Sequence, residues 1–220
     1  METVSIQRFV GVIDQGTTGT RFIIVDSDGE QVSAAYREHE QIYPQPGWIE
    51  HSPEEIWENL KLIAAEALEK GGLGASDLSS VGITNQRETV FVWDERGKPL
   101  HNGIVWQDRR TADRCEELEG TEIEGIVKAR TGLRLDPYFS GTKIEWLLEN
   151  VDGLKDRAKK DEVYFGTVES WLIWMLTDGE VYVTDHTNAS RTMLFDIKEM
   201  EWHSELLDFF GVQLKCLPDP

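Results

Sequence analysis

A short turn near the start of the chain carries side chains that could bind a phosphate group. Asp14 is followed by the segment QGTTGTR, residues 15–21. Glycines let a backbone approach an anion closely, and threonine hydroxyls and an arginine can donate hydrogen bonds to its oxygens. A carboxylate at the end of a strand can hold Mg²⁺ through water. The predicted phosphate contacts are Thr17, Thr18, Gly19 and Arg21, and the predicted magnesium contact is Asp14. The alternative for this segment is a plain hairpin turn.

A second group of polar residues suggests binding of a polyhydroxy compound. The segment NQRET, residues 85–89, follows a short apolar run. An adjacent arginine and glutamate can hold neighbouring hydroxyls, because Glu88 would accept hydrogen bonds and Arg87 would donate them. The alternative is a solvated ion pair that contributes little to stability.

Two aromatic residues could complete such a polyol site. Trp106 ends the run GIVW, and its indole face could cover the C–H side of a small polyol and exclude water. The phenol of Tyr138 could reach a substrate hydroxyl. The alternatives are core packing for Trp106, since the chain has eight tryptophans, and a bond to a local carbonyl for Tyr138.

The elements that must position these residues begin with three strands. Apolar runs predict strands over residues 9–13, 22–25 and 31–36, with a hairpin turn at Asp28-Gly29. Ser52, Pro53 and Glu55 are typical of the start of a helix, which Gly71-Gly72 should end.

The rest of the chain mixes strands and helices. We predict strands over 80–84, 89–93 and 181–184, and helices over 111–118, 122–130, 140–150, 167–176 and 204–210, with Ser140 capping the third. The order βββ-α-β resembles the ribonuclease H-like domain shared by actin and the sugar kinases. That resemblance implies an α/β fold that opens with antiparallel strands and carries flanking helices.

The composition excludes several kinds of partner. The net charge is −19, from 41 acidic and 22 basic residues, so nucleic acid and anionic membranes should be repelled. This acidity indicates either simple solubility or a high-salt cytoplasm. Cys115 and Cys216 have no metal-ligand spacing, and we find no signal peptide and no apolar run long enough to span a bilayer. We expect a cytoplasmic protein.

Six stretches of the chain resemble the glycerol kinases, in the same order. They are VIDQGTT (12–18), QIYPQPGW (41–48), GITNQRET (82–89), IVWQ (104–107), DPYFSGTK (136–143) and TNASRTMLF (187–195). Many sugar kinases share the first stretch, whereas NQRET and DPYFSGTK are far more specific to glycerol kinases. The resemblance covers nearly the whole chain from Phe9 onward.

This resemblance implies a role for each candidate residue. Glycerol hydroxyls would be bound by Arg87, Glu88 and Tyr138, with Trp106 on the apolar side. ATP phosphates would lie near Thr17, Thr18, Gly19 and Arg21, and Mg²⁺ near Asp14. Relatives often carry serines at the positions of Gly19 and Thr20, so a hydroxyl contact would be lost at Gly19 although its N–H remains.

The resemblance also implies an activity and a domain organisation. Residues 1–220 would be the amino-terminal, glycerol-binding lobe of a two-lobed, homo-oligomeric kinase that transfers the γ-phosphoryl group of ATP to glycerol. In the sugar kinases the general-base aspartate lies in a Gly-Asp-Gln stretch. No such stretch occurs here, so we expect the base and the ATP lobe beyond Pro220. The alternatives are a pentulose kinase lobe and a non-catalytic polyol sensor, although a sensor would not need Asp14, Thr17 and Thr18.

Overall fold

The computed structural model describes residues 8–220 and divides them into two compact units. The first unit comprises residues 8–40 and 54–85, and the second comprises 41–53 and 86–220. The strands are β1 (Phe9–Gln15), β2 (Gly19–Val25), β3 (Gln31–Glu38), β4 (Glu50–His51), β5 (Leu78–Asn85), β6 (Val90–Trp93), β7 (Gly103–Ile104), β8 (Tyr164–Thr167), β9 (Phe195–Asp196) and β10 (Glu201–Trp202). The helices are α1 (Pro53–Gly71), α2 (Ala112–Leu118), α3 (Glu122–Thr131), α4 (Ser140–Asn150), α5 (Leu154–Ala158), α6 (Val168–Leu176), α7 (His186–Ala189) and α8 (Ser204–Phe210).

The first unit is a four-stranded sheet with one helix. The strand order is β3-β2-β1-β5, in which β1 pairs antiparallel with β2 and parallel with β5. Four apolar side chains at helical spacing on α1 are buried: Ile56, Leu60, Ile63 and Ala67. The hydroxyl of Ser33 on β3 donates a hydrogen bond of 2.7 Å to the carbonyl of Ala67. The predicted order of three antiparallel strands, a helix and a further strand is confirmed, and the structure adds that this last strand is parallel to β1.

The second unit is built around an antiparallel sheet of order β4-β7-β6-β8. All four residues of β6 are buried, because this strand lies inside the sheet and both of its faces are covered. Its core also takes apolar side chains from helices and from β8, among them Val127, Ile144, Leu147, Phe165 and Leu206. None of the helices within residues 8–220 has the length and apolar character needed to cross a bilayer.

Two local predictions are wrong. Residues 181–184 do not form a regular strand; Val183 makes one isolated bridge to Asp219. Ser140 is the first residue of α4 rather than its cap, and Phe139 is the N-cap. The Ser140 hydroxyl is buried and lacks a hydrogen-bond partner among residues 8–220. Both errors come from local preferences that tertiary packing overrides.

Candidate functional site

Glu88 is held in a tight turn immediately before β6. The hydroxyl of Thr89 donates to Oε1 of Gln86 over 2.8 Å, and the imidazole of His51 lies 3.2 Å from the Gln86 amide nitrogen. Glu88 is 5% exposed. A buried carboxylate needs partners, since removing an unpaired charge from water is costly.

Arg191 supplies the ion pair that Glu88 needs. Its Nε donates to Oε1 of Glu88 over 2.7 Å, and its guanidinium lies 4.9 Å from the ring centroid of Phe139. Gly141 at the start of α4 allows this approach, because a Cβ there would lie 3.0 Å from the carbonyl oxygen of Thr192. Sequence reasoning assigned Arg191 no role, since nothing but its place in the last glycerol kinase-like stretch distinguishes it.

Tyr138 joins the same cluster. Burial, followed by the nearby Glu88 carboxylate, raises the pKa of Tyr138 above its ordinary value, and Arg191 opposes this by lowering it. The rings of Tyr138 and Trp106 meet edge to face, with their centroids 5.5 Å apart. The structure therefore brings together Glu88, Tyr138 and Trp106, which the sequence had grouped as polyol contacts.

The side chain of Arg87 does not act together with that of Glu88 as their adjacent positions in the sequence suggested. The Arg87 side chain is exposed, and Nη1 is 3.4 Å from the carbonyl oxygen of Thr187 in α7. The ion pair of Glu88 is made by Arg191 instead. The alternative of a simple solvated Arg87–Glu88 ion pair is therefore wrong.

The turn that carries Trp106 is anchored by a buried arginine. The side chain of Arg110 is fully buried and hydrogen-bonds to Asp108 and Glu50 at 2.8–3.0 Å. Its guanidinium packs against the rings of both Trp48 and Trp146, at 3.9 and 4.6 Å from their centroids. This arrangement combines charge pairing with cation–π contacts and ties the segment that follows Trp106 to β4.

Lys143 connects the two polypeptide segments that carry Glu88 and Tyr138. Its Nζ donates to the main-chain carbonyl of Glu88 over 2.6 Å and to that of Tyr138 over 2.8 Å. The side chain is completely buried, and this burial lowers its pKa to about 7. Sequence reasoning placed Lys143 in a glycerol kinase-like stretch but gave it no function.

The predicted phosphate turn lies in the first unit, between β1 and β2. The N–H of Gly16 donates to the carbonyl of Gly19 over 3.0 Å, and the N–H of His39 donates to the carbonyl of Thr18 over 3.3 Å. The Gly16 N–H is therefore used inside the turn, which removes one donor from the predicted anion nest. Thr18 and Arg21 are exposed, and Thr17 is half-buried.

β3 limits what residue 19 can be. A Cβ on Gly19 would lie 2.5 Å from the carbonyl oxygen of Arg37 and 2.5 Å from the hydroxyl of Tyr36. The guanidinium of Arg21 lies 5.7 Å from the Tyr36 ring centroid. The glycine follows from this close approach of β3, so a serine cannot be accommodated here without movement.

Asp14 fits an ion that keeps most of its water ligands. It is half-buried near the end of β1, paired in register with Arg21 on β2 and Thr84 on β5. Among residues 8–220 there is no cluster of three His, Cys, Asp or Glu side chains that could enclose a metal. Mg²⁺ commonly uses one or two carboxylates plus water and substrate phosphates, so a single carboxylate suits it.

Curated relatives share the sequence over nearly the whole chain. A glycerol kinase of Haloferax volcanii is 54% identical over 227 residues, which cover 98% of this chain and 44% of that protein. The chain thus spans less than half the length of the curated relatives it matches. The resemblance to glycerol kinases is confirmed.

Solved structures match the fold. The Plasmodium falciparum glycerol kinase with ADP superposes with a TM-score of 0.90 at 35% identity, covering 97% of this chain and 43% of that one. A ligand-bound xylulose kinase from Lactobacillus acidophilus gives a TM-score of 0.86 at 21% identity over 96% of this chain and 41% of that one, a likeness of fold alone. The expected sugar kinase-type α/β fold is confirmed. A family model for the N-terminal domain of the FGGY carbohydrate kinases matches residues 9–219. The chain belongs to the FGGY family of carbohydrate kinases.

Proposed function

We propose that the complete protein transfers the γ-phosphoryl group of ATP to a terminal hydroxyl of glycerol, and that residues 1–220 form its amino-terminal, glycerol-binding lobe. The observation that carries this proposal is the cluster of Glu88, Tyr138 and Arg191, with Trp106 against Tyr138. It offers charged and neutral hydrogen-bonding groups beside an aromatic face, as a small polyol requires. Relatives that are glycerol kinases support the same choice.

Within the site each residue has a distinct role. A carboxylate has about four acceptor positions, so Glu88 can bind Arg191 and Tyr138 and still accept from substrate hydroxyls. Arg87 has five N–H donors, of which the 3.4 Å contact with Thr187 uses one, so it can also donate to glycerol. Trp106 covers the carbon chain and keeps water away from it.

The first unit contributes the phosphate contacts Thr17, Thr18, Gly19 and Arg21. Asp14 would hold Mg²⁺, and such an ion would supply positive charge to the phosphate oxygens. The ADP in the Plasmodium falciparum structure supports nucleotide binding in this family. The general base that accepts the glycerol proton is an aspartate outside residues 1–220.

The experiment measures glycerol 3-phosphate formation by the full-length protein with glycerol and ATP varied separately. Glu88→Gln should lower kcat/KM for glycerol by an amount that corresponds to a loss of about 1–3 kcal/mol in transition-state stabilisation. The KM for ATP should be nearly unchanged. Glu95→Gln, at a surface site with a side chain 60% exposed, is the matched control and should behave as the parent. Preference for a pentulose, absence of phosphorylation, or a defect confined to ATP would each reject this function.

The acidic composition points to a high-salt cytoplasm. With a net charge of −19, repulsion between carboxylates should weaken as salt screens it. Thermal melts in low and multimolar KCl test this, and a midpoint that stays constant or falls would leave solubility as the explanation. Sedimentation of the full-length protein tests the homo-oligomeric state.

A further inference from the structure

The buried amine of Lys143 lies behind the proposed glycerol contacts. Its Nζ donates to the carbonyl oxygens of Glu88 and Tyr138, the two residues whose side chains interact in the site. One nitrogen therefore ties together two chain segments that are 50 residues apart, by the numbering of Glu88 and Tyr138. Within residues 8–220, no other side chain donates hydrogen bonds to both of these carbonyl oxygens.

A fully buried lysine is an expensive way to fill space. Removing an ammonium from water is unfavourable, and an apolar residue of similar volume is often tolerated equally well or better where only packing matters. The charges around it are Asp108, Glu88 and Asp136, which favour the ammonium, and Arg110, which disfavours it. Nζ of Lys143 makes a short hydrogen bond to the carbonyl oxygen of Glu88 and another to that of Tyr138. These two oxygens cannot move apart without breaking one of the bonds, so the amine fixes the distance between them.

We propose that Lys143 is a positioning residue that sets the separation of the Glu88 carboxylate and the Tyr138 phenol, and thereby the size of alcohol the site accepts. This inference rests on the proposed function, because it takes the cluster to be the polyol site. Lys143 does not touch the substrate. It acts through the main chain on the two residues that do.

The test uses the full-length protein with Lys143→Met, which keeps the length and removes the donors, and Lys143→Gln, which keeps an NH₂ group without charge. Lys143→Met should raise KM for glycerol by about tenfold or more and leave KM for ATP within about twofold. The same variant should also show a smaller ratio of kcat/KM for glycerol to kcat/KM for the four-carbon polyol erythritol. Lys143→Gln should restore part of the loss. Lys128→Met, on the exposed face of α3, is the surface control, and Leu207→Ala, in α8, controls for lost stability.

A second measurement does not depend on catalysis. Fluorine NMR of protein labelled with fluorotyrosine follows the ionisation of Tyr138, whose signal is assigned with Tyr138→Phe. In Lys143→Met or Lys143→Gln, whichever folds, the Tyr138 titration should move from its raised position toward that of an ordinary tyrosine, as Glu88 moves away. An unchanged titration with unchanged KM for glycerol overturns the proposal. If the parent protein does not phosphorylate glycerol but the titration moves, the proposed function fails and the positioning role stands.

Discussion

Nε of Arg191 and Oε1 of Glu88 are 2.7 Å apart, although 103 residues separate them in the chain. The pair lies beside the Tyr138 hydroxyl, and the Arg191 guanidinium packs over Phe139. A charge-assisted bond of this length fixes the orientation of the carboxylate. The Glu88 carboxylate is thus paired with an arginine from beyond α7 rather than with the arginine next to it in sequence.

Replacing Arg191 should therefore damage the site through Glu88. Arg191→Met would leave a buried carboxylate without its cation, so we expect kcat/KM for glycerol to fall by about 2–3 kcal/mol, more than for any exposed arginine. Steady-state kinetics of the full-length protein measure it. Arg96→Met is the control, since that side chain is 86% exposed. An Arg191 variant with parental kinetics would show that Glu88 does not need this partner.

Placing a serine at position 19 should destabilise this chain. Gly19→Ser would place Cβ 2.5 Å from the main-chain oxygen of Arg37, which cannot move as a side chain can. We expect a loss of about 1–3 kcal/mol in the free energy of unfolding, measured with urea. Gly82→Ser on β5 is the matched control, because no atom lies within 4 Å of its added Cβ. Equal stability of the two variants would show that β3 adjusts freely.

The buried Arg110, which packs against two tryptophans, should contribute more to stability than an arginine at the surface. Arg110→Met leaves the buried carboxylates of Asp108 and Glu50 unpaired, so it should cost about 3–5 kcal/mol of unfolding free energy. Arg114→Met removes a partly exposed pair with Glu145 and should cost about 1 kcal/mol or less. Denaturant unfolding of both variants compares them, and similar losses would argue against a strong role for burial.

The pKa of Lys143 predicts a pH dependence of stability. Burial lowers that pKa from 10.5 to about 7, so between these values the unfolded chain binds more protons than the folded one. The contribution of Lys143 to the unfolding free energy therefore rises with pH across this window, by up to about 1.4 kcal/mol per pH unit. As the pH increases across this window, the free energy of unfolding of the parent should therefore rise relative to that of Lys143→Met. If the difference between the two free energies does not change with pH, Lys143 is not a buried lysine with a lowered pKa.

The isolated 220-residue chain should phosphorylate glycerol far more slowly than the full-length protein. A missing general base typically costs about 10²–10⁴-fold, and loss of a closing lobe adds to this. Weak glycerol binding can persist, since Arg87, Glu88, Trp106 and Tyr138 are present. A glycerol 3-phosphate assay compares the two proteins at equal concentration. Activity of the short chain within about tenfold of the full-length protein would place the base inside residues 1–220.

Sequence patterns predicted the elements with strong local signals. The apolar spacing of α1 and the glycines after it gave its limits to within a residue. Apolar runs identified β1 to β3, although β2 begins at Gly19 rather than at residue 22. The two-residue strands β4 and β7 were missed, because a pair so short has no period to detect. Their pairing is a property of the fold rather than of either segment.

The residues of the candidate site also divide into those that the sequence predicted and those that it did not. Glu88, Trp106 and Tyr138 were found because resemblance grouped them, and the structure brings them together. Arg191 and Lys143 were assigned no role, since an ion pair across 103 residues and a lysine bonded to two carbonyls leave no local pattern. Burial of Lys143 in particular opposes the usual expectation for lysine, which is to be exposed.

The way the chain alternates between its two units has a consequence for synthesis on the ribosome. Residues 41–53 belong to the second unit but are made before the first unit is complete, because β5 ends at Asn85. The partner of β4 is β7, which begins at Gly103. A nascent chain that has emerged as far as Asn85 can close the first sheet, while β4 must wait for β7. We therefore expect translation to deliver a folded first unit carrying an unpaired loop, and the second unit to capture that loop later.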